Sequence, residues 1–124
     1  MIKIPLVVFN ILLLLLASSV SAGEADIIDV KARKVGLNQY VFSVTVSHAD
    51  DGWDHYADKW DVLDLQGNLL GTRVLHHPHV NEQPFTRSLS GVTVPSGSQS
   101  VILRAHDSVH GYGGNEFITD LQDR

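Results

Sequence analysis

From Gln39 to His48 the chain alternates residue by residue: Tyr40, Phe42, Val44 and Val46 are interleaved with Val41, Ser43, Thr45 and Ser47. Strand side chains point to opposite faces with a period of two, so this β-branched and aromatic run predicts a half-buried strand. Upstream, Ile28, Val30 and Ala32 alternate with Asp29, Lys31 and Arg33, and Gly36-Leu37-Asn38 supplies the turn between the two strands. A third strand is expected from about Asp58 to Leu65, with Trp60 and Val62 on one face and Leu63 and Leu65 on the other side. Gln66-Gly67-Asn68 then turns the chain into a fourth, Leu69 to about His77, because Gly and Asn accept the positive φ of a tight hairpin.

Pro78 and Pro84 bracket a segment that cannot pair continuously in a sheet, so it is expected to be a loop. Phe85 to Val94 reads as a fifth strand bent at Gly91, followed by the turn Pro95-Ser96-Gly97-Ser98. In a sixth strand Val101, Leu103 and Ala105 alternate with Ile102, Arg104 and His106; the Gly111 to Gly114 loop precedes a seventh, Phe117 to Leu121. No helical period competes with this pattern, and turn signals recur at the spacing of a β-sandwich. Seven antiparallel strands in two packed sheets are the expectation.

The first 22 residues do not belong to that pattern. Lys3 is a positive leader charge, Leu6 to Leu16 an apolar run broken by Asn10, and Val20-Ser21-Ala22 a small-residue cleavage site, the three parts of a secretory signal. The run is short for a bilayer span, so residues 1–22 are expected to be removed, with no membrane insertion afterwards, leaving residues 23–124 as one domain in the periplasm or secreted. Gly23 rather than Cys follows the cut, so no lipid attachment is expected there.

Composition narrows the partners. The chain has no Cys, so an exported domain of this size must be held by its core and not by disulfides. Its formal net charge is −5, and losing Lys3 makes it −6, which repels phosphate backbones and anionic lipid; nucleic acid is not an expected partner.

Strands of this number and spacing, with Trp60 in the third and Val101-Ile102-Leu103-Arg104-Ala105 in the sixth, resemble immunoglobulin and fibronectin type III domains. That resemblance implies an immunoglobulin-like β-sandwich, although no Cys pair crosses the sheets and Ser100 and Val101 stand where a fibronectin-type strand carries Tyr. The stretch from Gly52 to Trp60, with His76-His77-Pro78-His79 and His106 to Gly114, also resembles small exported bacterial proteins, a likeness that carries no function.

The candidate chemistry lies in the seven histidines. If successive strands reverse direction, the connections after the second, fourth and sixth fall at one end of the sandwich. Those connections hold His48 and His55, then His76, His77 and His79, then His106 and His110. Imidazole is the commonest side-chain metal ligand, and His77-Pro78-His79 places alternate residues on one side of an extended segment. His55, His77, His79, His106 and His110 are the expected ligands. His48, Asp54, Glu82 and Asp107 are expected to orient them or accept their N–H groups. Without thiolates the set suits Zn or Cu(II).

No G-x-S-x-G elbow occurs and no catalytic residues are assigned, so an enzyme is the less expected reading. A metal-independent module that recognises another exported protein or a ligand through the same loops stays open, because Trp53, Tyr56 and Tyr112 lie among the histidines.

Overall fold

Period-two alternation becomes seven strands in the computed structural model, which describes residues 23–121; the expected leader at 1–22 lies outside the described residues. The strands are β1 (Asp26–Gly36), β2 (Gln39–Ser47), β3 (Ala57–Leu63), β4 (Leu69–Val74), β5 (Phe85–Thr93), β6 (Ser100–Asp107) and β7 (Phe117–Asp120). All pairings are antiparallel, in a three-stranded sheet ordered β1-β2-β5 and a four-stranded sheet ordered β4-β3-β6-β7. Among the described residues no helix is long and apolar enough to cross a membrane.

The inward faces of both sheets meet in one core. Phe42, Val44 and Val46 from β2 and Phe85 from β5 pack with Trp60 and Val62 from β3 and Val101 and Leu103 from β6. Removing a side chain of this size from water contributes about 1.5–3 kcal/mol. A domain without disulfides rests on that sum.

Three details depart from simple alternation. In β1 a bulge falls between Ile27 and Asp29, so Ile27 and Val30 face the core while Ile28 is exposed, where the sequence pattern puts Ile28 in phase with Val30. The third strand stops at Leu63 because Asp64 Oδ1 accepts the amides of Gln66 and Asn68, closing a turn that takes in Leu65. In β5, Gly91 has φ 71° and sits in a second irregularity, opposite the step from Tyr40 to Phe42, yet β5 remains one strand. The strand count therefore keeps its parity, and the β2–β3, β4–β5 and β6–β7 connections share one end of the sandwich.

Candidate metal centre

The inward stripe of β2 runs Phe42, Val44, Val46 and then His48; that of β6 runs Val101, Leu103, Ala105 and then Asp107, every one of them buried. Each stripe thus ends in a polar residue held in core phase at the same end of the molecule. His48 Nε2 lies 2.7 Å from Asp107 Oδ2, and His55, from the β2–β3 connection, brings its own Nε2 to 2.9 Å from the same oxygen. His110 reaches it too, with Nδ1 at 3.1 Å. Three imidazoles therefore converge on one carboxylate oxygen. His48, His55 and Asp107 each offer a ligand atom within 4.8 Å of the others.

The other oxygen of Asp107 is already engaged: Oδ1 accepts the amides of Val109 at 2.6 Å and His110 at 2.7 Å. The loop after β6 is thereby folded around the carboxylate, which fixes the direction of Oδ2. Burial by itself would raise the Asp107 pKa, but the hydrogen bonds from His110, from the Val109 amide and from His55 outweigh it and hold the group well below the usual carboxylate range. It is an anion in a water-excluded position.

His48 is fixed from its other side. Its Nδ1 donates to Asp50 Oδ1. The same Asp50 oxygen accepts the Ala57 amide at 3.0 Å, while Asp50 Oδ2 accepts the His79 amide at 2.6 Å. A carboxylate behind an imidazole sets the tautomer and ring direction, as it does behind metal-bound histidines. Burial pushes the His48 pKa down, but the hydrogen bonds to Asp50, Asp107 and the Gly23 carbonyl, with the charge of Asp50, raise it above its ordinary value. With both ring nitrogens facing acceptors, a proton or another cation is required at Nε2.

A tetrahedral shell with metal–nitrogen bonds of 2.0–2.1 Å separates neighbouring ligand atoms by about 3.3–3.4 Å. The short contacts at Asp107 Oδ2 and the 4.8 Å outer limit of the group bracket that spacing. Modest ring shifts would open it. The group is graded in exposure: the Asp107 and His48 side chains are buried, His55 is 26% exposed and His110 40% exposed, so it is rooted in the core and open on one side. The Gly23 carbonyl lies on it as well, 3.0 Å from His48 Nε2 and 3.3 Å from His55 Nε2.

Of the residues expected as ligands, the structure brings His55 and His110 together and adds His48 and Asp107, which the sequence places in a supporting role. His77, His79 and His106 lie apart from the group. His106 falls on the outward phase of β6, where Nδ1 meets Asp58 at 2.6 Å and the ring abuts Tyr112. His79 is buried with its ring stacked on Phe85 at 3.9 Å, and burial, then the charges of Arg87 and His77, lower its pKa. It packs as a neutral ring. His77 is exposed and contacts the Pro78 carbonyl; Glu82 pairs with Arg87, and Asp54 is exposed in the turn before His55.

No known protein-family pattern matches the chain. Over 105 residues it is 44% identical to a protein of Halomicrobium mukohataei named "Putative lipoprotein", across 85% of this chain and 51% of that protein, so it spans about half of that relative's length. Its fold is similar to that of the hypothetical protein PH1083 from Pyrococcus horikoshii OT3, with a TM-score of 0.53 over 86% of this chain and 99% of that one, at 14% identity. That likeness concerns the fold alone.

Proposed function

We propose that this chain is an exported β-sandwich protein that binds a divalent transition metal through His48, His55 and Asp107, with His110 beside them, and acts as a carrier, buffer or sensor component. The observation that carries this reading is the convergence of three imidazoles on one oxygen of a buried carboxylate whose other oxygen is already satisfied. Export is supported by the leader pattern and by the name of the half-matched relative. The three-plus-four strand order also supports the fibronectin type III resemblance.

Imidazole and carboxylate ligands suit Zn(II) and Cu(II), and a His-His-Asp set also suits Fe(II). The test is titration of the chelator-stripped protein with each ion. One ion per chain, bound more tightly than by a histidine-tag control, is expected, with affinity falling as the pH drops and beginning to fall above 6.5, because His48 takes up its proton above the ordinary imidazole value. Absence of such binding would overturn the proposal. The second reading, a metal-independent recognition surface, is favoured by Trp53 and Val109, which are 66% and 57% exposed on the same group of loops. It predicts a partner that binds equally well in chelator.

A further inference from the structure

The segment that leads into β1 is held against the histidine group by close backbone packing. Gly114 lies so near it that an added Cβ would sit 1.9 Å from the Ala25 carbonyl oxygen. Asn115 donates its amide to Asp26 Oδ1 at 2.7 Å and accepts the Ile27 amide at 3.0 Å. Pinned this way, Gly23 presses on His110, whose Cε1 would be 2.4 Å from any Cβ at that position. Its carbonyl oxygen meanwhile faces the Nε2 atoms of His48 and His55. A larger residue there would have to push the His110 ring aside.

Gly23 is also the first residue after the cleavage site read from Val20-Ser21-Ala22. Hydrolysis of the Ala22–Gly23 bond by a signal peptidase consumes one water and leaves a carboxylate on Ala22 and a free amine on Gly23. We propose that this α-amine is a further metal ligand, so that the site is completed only by removal of the leader. The proposal rests on the metal-binding reading above. Standard bond lengths place an α-amine nitrogen about 2.7 Å from its own carbonyl oxygen when the two are on the same side, a five-membered chelate for one ion. An amide nitrogen, which occupies that position in the uncut chain, has its lone pair delocalised into the carbonyl and is a poor ligand. The missing side chain lets the backbone itself approach the histidines.

The experiment compares three forms of residues 23–124, a piece that contains every buried core residue from Ala25 to Leu121. One begins at Gly23 with a free amine, one carries a single extra Ala before it, and one is acetylated on Gly23. Each is titrated with Zn(II) and Cu(II) against a competing chelator, with Asp107→Asn alongside. The form with its free amine on Gly23 is expected to bind at least about tenfold more tightly than the acetylated form and the form whose amine is displaced onto the extra Ala, with its Cu(II) d–d band at shorter wavelength than that of the acetylated form. Metal-free melting temperatures that agree among the three assign the difference to the ligand and not to folding. Equal binding by all three, above that of Asp107→Asn, would overturn the amine ligand and leave the metal site standing. Binding by none of them above Asp107→Asn would overturn both.

Discussion

Asp107→Ala and Asp107→Asn separate the structural part of the buried carboxylate from the part proposed for it in holding an ion. The alanine variant strips the Val109 and His110 amides of their acceptor and leaves the three imidazoles facing empty space. Removing one partner from a buried charged network costs about 3–5 kcal/mol. That is a large share of the roughly 5–15 kcal/mol that stabilises a domain of this size, and at about 4–8 °C per kcal/mol it lowers the melting temperature by about 12–40 °C. The asparagine variant keeps an oxygen for the two amides and loses the charge-assisted bonds at Oδ2, a smaller cost of about 1.5–3 kcal/mol. Both lose the anionic ligand, so both should bind metal at least about a hundredfold more weakly, beyond the effect usual for removing a supporting partner. Urea denaturation in chelator measures the first effect and competition titration the second. An alanine variant within about 0.5 kcal/mol of the parent, or an asparagine variant that binds metal as tightly, would refute the reasoning.

His48 has a folded pKa raised above 6.5, so its contribution to metal-free stability is complete below pH 6.5 and is lost as pH rises through the folded value. Asp107 is lowered from 3.8, so its contribution is present above pH 3.8 and is lost as pH falls towards its folded value. The His48 and Asp107 contributions in chelator should therefore be largest between those limits, while His79, whose pKa burial lowers, adds stability as pH rises through 6.5. Saturating metal should remove the His48 decline because the ion takes the place of the Nε2 proton, and a stability difference between the parent and His48→Ala that grows above pH 6.5 would contradict this. His77→Ala and His106→Ala should each change metal affinity by less than about twofold, since those rings lie outside the group; a tenfold loss in a titration of either would redraw the site. Gly114→Ala should destabilise the domain by about 1–3 kcal/mol, because the new methyl collides with the Ala25 backbone, and unfolding in chelator at an unchanged midpoint would refute that contact.

Strand number and direction were legible because hydrophobic alternation and turn chemistry agreed along the chain. The convergence of the loops followed from parity once Gly91 proved to bend β5 without splitting it. The side chains that meet were harder to choose. Residue type drew attention to His106, but phase decides which side of a strand a residue serves: Asp107 continues Val101, Leu103 and Ala105 inward, and His106 faces out. A polar residue closing an apolar period-two stripe was the available signal, at His48 and again at Asp107. The phase of β1 was not readable, because a one-residue bulge at Ile28 leaves no mark in composition. Nor was the approach of Gly23, which depends on backbone contacts with Gly114 and Asn115 far along the chain.

His48 directly follows the last residue of β2, in the three-stranded sheet, and Asp107 ends β6 in the other, 59 residues away. An ion held between them would be a cross-link, joining the two layers at one rim in a chain that has no cysteine to do so covalently. A disulfide closing a loop of that length stabilises by about 4 kcal/mol. A ligand at a thousand times its dissociation constant matches it, at about 4.1 kcal/mol. The difference lies in what opens the tie: reductants would leave it closed, whereas a chelator, acid or scarcity of the ion would release it, so the lifetime of the folded molecule would follow metal supply and not redox state.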